Sequence, residues 1–213
     1  MTVVSELRPR ALARAREREF THAVGMVVAL SSWGMMFACF FFVYFGLRAQ
    51  ALAWPPPGLP RLPLLLPTIN TMVIVGSSLT LVRALKEMRA GHNRLASRWM
   101  GITLGLGLLF VALQCLLWRN MWLDGITVHI GTLGTVFYGL TVLHALHVAA
   151  GVVVLAYLLV CALRAASPVG DATAFFGSSL AGSQQIIRLR MCGMFWHFVD
   201  AIWLVMFVGL FLF

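Results

Sequence analysis

Residues 191–213 read MCGMFWHFVDAIWLVMFVGLFLF. Those 23 residues carry one charged side chain, Asp200, and about 20 apolar residues suffice to cross a hydrocarbon core about 30 Å thick. The stretch is therefore a membrane-crossing helix, and the fold follows from how often the pattern recurs. Ala23 to Leu47 gives 25 residues without a charge, Leu62 to Val82 gives 21 and Trp99 to Trp118 gives 20. The 39 residues from Gly125 to Leu163 exceed one crossing but fall short of two with a turn. Gly131 and Gly134 weaken the first part, so an external approach followed by one long helix is expected. The fold class is all-α: an integral membrane bundle of five helices, over about 23–47, 62–85, 99–118, 133–163 and 191–213. A basic N-terminal segment, 1–22, precedes the membrane domain, 23–213.

Composition agrees. With 61% apolar and 11% charged residues and a mean hydropathy of +0.90, the chain is neither disordered nor a water-soluble enzyme. Cys39, Cys115, Cys161 and Cys192 lie in or beside apolar stretches without C-x-x-C spacing, so they read as small, buried apolar side chains and not as zinc or iron–sulfur ligands. The N-terminus is not a secretory signal, because 25 apolar residues are too many for its hydrophobic region and Arg48 follows where a cleavage site would be needed.

Of the 16 arginines and lysines, 13 fall in the N-terminal segment and the second and fourth connections. Only Arg48, Arg61 and Arg119 fall on the other side. That asymmetry puts the N-terminus in the cytoplasm and the C-terminus outside. It also accounts for the net charge of +9 without a nucleic-acid partner, since no basic run is interleaved with base-stacking aromatics. Residues 54–58, WPPPG, form a stiff external turn. The long connection from Arg164 to Arg190 opens on turn chemistry at Ser167-Pro168 and Gly170-Asp171, and residues 5–19 are expected to lie as a short charged helix on the membrane surface.

Function is sought where costly groups stand at membrane depth. Asp200 is the only acidic residue inside a span, at an insertion cost of roughly 2.5–3.5 kcal/mol, so it must face protein and be protonated or hydrogen-bonded. His197 lies three residues earlier on the same face, flanked by Trp196 and Trp203. The fourth helix adds His144 and His147, with Thr141 one turn before. The third adds Gln114, and the second adds Asn70, Ser77, Ser78 and Thr80. Three readings are open for the histidines: metal or haem ligation by His144, His147 and His197; proton relay through His197 and Asp200; or a structural polar cluster between the fourth and fifth helices, or between them and a partner. Polar groups and small residues are how helices adhere in lipid. The phenylalanines Phe37, Phe40, Phe41, Phe42 and Phe45 encircle the first helix and read as lipid contact or packing, while Trp54, Trp118 and Trp122 sit near the external interface.

At these residues the chain resembles subunit III of the haem-copper terminal oxidases. Residues 195–204, FWHFVDAIWL, are close to a W-H-F-x-D-x-x-W motif, and residues 134–148, GTVFYGLTVLHALHV, match G-S-x-F-F-x-x-T-G-x-H-G-x-H-V with a few substitutions. Asn70-Thr71, then 77–80, Gln114, and Tyr44-Phe45 with Leu47-Arg48 are weaker echoes in the same order.

The resemblance implies the short five-helix bacterial form, in a bacterial cytoplasmic membrane. It implies a chain with no catalytic site, cofactor or metal of its own, beside a catalytic subunit I and other oxidase subunits. Haem and copper would be held by those partners, phospholipid would be bound in a cleft, and the chain would support proton uptake and protect the active centre. His144, His147, Thr141, Gln114, Trp196, His197, Asp200 and Trp203 would be the buried polar packing or subunit-interface residues. Two departures stand out: Ser32-Trp33-Gly34 holds no acid where many relatives have one, and Gln114-Cys115-Leu116-Leu117 stands in place of Q-x-x-E. The alternatives are an accessory subunit of a nitric oxide reductase with the same fold, and a small membrane enzyme with its own metal or haem.

Overall fold

The computed structural model describes residues 2–50, 64–128, 131–165 and 178–212. The turns expected at residues 54–58 and 167–171 lie outside them. The described residues are helical with short turns: α1 (Thr2–Gln50), α2 (Leu65–Arg89), α3 (Asn93–Leu123), α4 (Thr132–Ala165) and α5 (Ser178–Phe207), the last running on into a π-helical turn, Val208–Leu212. Five stretches among them are long and apolar enough to span a membrane: Phe20–Gln50, Leu65–Arg89, Asn93–Leu123, Gly134–Arg164 and Gln184–Leu212. The protein is a multi-pass membrane protein.

Several helices outrun the apolar runs that announce them. α1 continues back to Thr2, so the basic segment is part of the first helix and not a separate surface helix. Its Ala-, Arg- and Glu-rich sequence, residues 11–19, has high helix propensity and no breaker before the span. α5 begins at Ser178, thirteen residues before the apolar run at 191, so much of the expected connection is helix. α3 gains a polar turn at each end. Hydropathy marks what can sit in lipid, whereas the helix continues wherever its backbone can bond to itself.

Two glycines close the ends. After α2, Gly91 takes φ +82°, and the His92 amide donates back to the Glu87 carbonyl at 3.0 Å. After α3, Gly125 takes φ +81° and the Ile126 amide donates to Met121 at 2.9 Å. Both are left-handed caps that only glycine adopts without strain. The first leaves three residues between α2 and α3, so these helices pack antiparallel along their length. Thr80 and Thr103 hydroxyls meet at 2.8 Å across that seam, and Arg83 lies over the Trp99 ring at 5.2 Å.

α2, α3, α4 and α5 form a ring in which each packs on two of the others, and α1 lies outside it against α4 and α5. The ring encloses Phe110, Leu117, Met121, Leu140, Trp203 and Met206, all fully buried. Among the described side chains of α1, Phe37, Phe41 and Tyr44, at helical spacing, are the buried ones, while Phe40, Phe42 and Phe45 are exposed. The cysteines correct the expectation of four buried thiols: Cys192 is buried, Cys161 half-buried, and Cys39 and Cys115 are exposed on the bundle's outer surface. Lipid tails are as apolar as a core, so an apolar setting in sequence does not say which way a thiol points.

Candidate functional site

The polar groups of the fifth helix meet hydroxyls of the second. Trp203 donates its indole N–H to Thr71 Oγ1 at 3.0 Å, and Trp196 donates to Ser77 Oγ at 3.0 Å. Ser78 Oγ donates to Asp200 Oδ2 and lies 2.8 Å from Nδ1 of His197. As residue numbers rise along α2 they fall along α5, so the two helices run antiparallel. The two indoles stand seven residues apart on α5 and their acceptors, Thr71 and Ser77, six apart on α2, so both pairs fall along one seam.

This seam corrects the expected position of the cluster. Its hydrogen bonds join α5 to α2, not to α4, because a hydroxyl can both accept from an indole and donate to a carboxyl, and α2 presents three of them there. Nor is His197 tied directly to Asp200. Ser78 bridges them, with Asp200 buried and His197 exposed.

The fourth helix is used differently. His144 is 1% exposed, packed among rings: edge-on to Phe110 at 5.8 Å and tilted over Trp203 at 5.4 Å. Neither of its nitrogens has a hydrogen-bond partner among the described residues. His147 donates from Nδ1 to the Leu143 carbonyl at 2.7 Å, and its ring meets Trp33 at 5.1 Å and Phe37 at 5.5 Å. Thr141 accepts from the Trp118 indole at 3.2 Å and donates to the Phe137 carbonyl at 3.0 Å. Gln114 Oε1 accepts from Asn70 at 3.3 Å, in a fully buried α2–α3 pair.

His144, His147 and His197 thus occupy three seams, against α3 and α5, α1, and α2 respectively. They do not gather into one ligand set among the described residues. Asp200 also borders a cavity of about 10 Å³, room for about one water, whose other walls include Phe110, Val148, Val199 and Trp196. Those walls are apolar.

Two residues of the site escaped the sequence reading. A Cβ on Gly107 of α3 would stand 2.8 Å from Trp196 Cη2, and one on Gly151 of α4 would stand 3.2 Å from Cε3 of the same ring. Trp196 is therefore held between two glycines while its indole N–H reaches Ser77, so one side chain touches all four helices of the ring. Small residues that let a ring or backbone approach are a known signature of helix packing in lipid, but with 19 glycines the sequence does not single out these two. The arrangement locks helices together: the two indoles of α5 give their hydrogens to hydroxyls of α2.

A family model described as cytochrome c oxidase subunit III matches residues 18–213. A protein of Synechocystis named cytochrome c oxidase subunit 3 is 31% identical over 189 residues, covering 88% of this chain and 74% of that one. A probable cytochrome c oxidase subunit 3 of Mycobacterium tuberculosis is 34% identical over 186 residues, with 87% and 84% covered. A cytochrome c oxidase subunit 3 of Thermostichus vulcanus is 27% identical over 211 residues, with 99% and 96% covered.

Proposed function

The chain belongs to the cytochrome c oxidase subunit III family, and from that premise we propose that it is the accessory, non-redox subunit of its haem-copper oxidase. In this reading it packs beside the catalytic subunit I, retains phospholipid at that boundary, supports proton uptake and prolongs the life of the active centre. Haem and copper are held by the partner chains. Three imidazoles on three seams, one of them sealed among rings, do not fit a haem or copper site in this subunit.

The observation that carries the proposal is the α2–α5 seam. Costly polar groups at membrane depth are tolerated where they serve, and here Trp196, Trp203 and Asp200 serve helix–helix adhesion. The relatives named above are oxidase subunits, which does not favour the nitric oxide reductase reading. The bacterial relatives support a bacterial cytoplasmic membrane, and the arginine and lysine asymmetry supports an N-terminus inside it. The test is to extract the complex in mild detergent through a tag on this chain, then dissociate it. Haem absorbance and copper are expected to follow the other chains; a stoichiometric Soret band or copper remaining with this one would overturn the proposal.

A further inference from the structure

His197 stands at the middle of the last span, and it is the one imidazole among the described residues exposed there. His144 is sealed, His147 is half-buried against α1, His22 lies at the start of the first span and His92 lies between α2 and α3. An exposed mid-span imidazole faces lipid tails, which offer no hydrogen-bonding group, unless another protein covers it.

The network behind it sets what the ring presents. A serine hydroxyl has one proton, and with Asp200 as the carboxylate Ser78 gives that proton to it. The remaining contact of that hydroxyl, 2.8 Å to Nδ1, must then be donated by the histidine. A neutral imidazole with its hydrogen on Nδ1 has a bare lone pair on Nε2. The buried Asp200 thus fixes, through Ser78, a hydrogen-bond acceptor on the outer face of the bundle.

The surface around it suits a helix. Ala201, Leu204 and Val208 follow His197 at spacings of four, seven and eleven, and all are exposed. Together they make an apolar stripe with a small residue beside the acceptor, where a second backbone can come close. We infer that this stripe of α5 is the seat of a transmembrane helix from another subunit of the oxidase, which places a hydroxyl or N–H donor on Nε2 of His197. The inference rests on the proposed function and adds to it the face and the chemistry of one contact.

Two measurements on the whole complex test it. A photoreactive benzophenone side chain installed at Leu204 is expected to link this chain covalently to another chain of the purified oxidase, at a segment bearing a hydroxyl or N–H side chain. Links to lipid alone, or to a second copy of this chain, would overturn the inference while leaving co-purification, and so the proposed function, intact. Failure of the unmodified chain to co-purify with any oxidase chain would overturn both.

The second measurement compares His197→Asn with His197→Gln. Asparagine can still reach Ser78 but is too short to present an outward acceptor, whereas glutamine reaches outward. The asparagine variant should be lost from the complex on detergent washing roughly threefold to twentyfold faster, the range expected for one interhelical hydrogen bond in lipid, with glutamine close to the natural chain. Equal retention of all three would contradict the assigned contact. The cross-linking result stands whether or not the asparagine variant assembles.

Discussion

Trp196 shows how little freedom a single residue has in this bundle. Its ring fills the space that side chains at Gly107 and Gly151 would need, and a methyl at Gly107 would meet the ring at 2.8 Å. A buried indole hydrogen-bonded at its far end cannot swing aside, so Gly107→Ala should destabilise the subunit by about 1–3 kcal/mol. Gly151→Ala, with contacts of 3.1–3.2 Å, should cost less. Gly105→Ala, on the same helix where nothing lies within 4 Å, should leave stability unchanged. Thermal unfolding of the three variants in detergent checks the order. Asp200→Ala should cost about 1–3 kcal/mol, because Ser78 is left without its acceptor, while Asp200→Asn retains a carbonyl and should lose less. In complexes that assemble, both should leave the electron-transfer rate nearly unchanged; a collapse of turnover at full assembly would mark Asp200 as part of a proton path.

Between helices, adhesion depends on pairs. α2 and α5 run antiparallel with Thr71 opposite Trp203 and Ser77 opposite Trp196. Nothing hydrophobic drives two helices together in lipid, so these bonds and close packing decide the seam. A double-mutant cycle of Ser77→Ala with Trp196→Phe should show coupling of about 0.6–2 kcal/mol, measured as subunit stability in detergent. Coupling near zero would mean that the pair is incidental. The sequence made the residues of this seam visible: Asp200 because a carboxylate is costly in a span, and the indoles and hydroxyls because they are polar. It did not pair them. Core and lipid are equally apolar, so no hydrophobic stripe points each helix toward its neighbour, and the histidines of α4 pointed to that helix as the partner of α5. The same blindness hid the outward direction of Cys39 and Cys115. Helix ends were missed for a related reason: residues 178–190 continue α5 by backbone bonding, to which hydropathy is indifferent.

At the scale of the whole molecule, four helices close a ring and α1 stands outside it with only an inner stripe buried. The number of crossings was legible from charge-free runs because a bilayer demands a fixed length, and family membership was legible from the motifs on α4 and α5. The loose attachment of α1 was not, since its phenylalanines look alike until packing divides Phe37 and Phe41 from Phe40 and Phe42. If the N-terminus lies in the cytoplasm, an alkaline phosphatase fused after residue 213 should be active, because five crossings deliver it outside. An inactive fusion on a stably inserted chain would reverse the orientation. In the proposed function this subunit preserves an oxidase whose redox chemistry lies elsewhere, so its loss should shorten the working life of the complex. The most direct measurement is oxygen consumption by the purified complex with and without this chain, followed until activity decays. The initial rate should be largely retained without it, and the number of turnovers before inactivation should fall. Equal endurance of the two preparations would contradict the account.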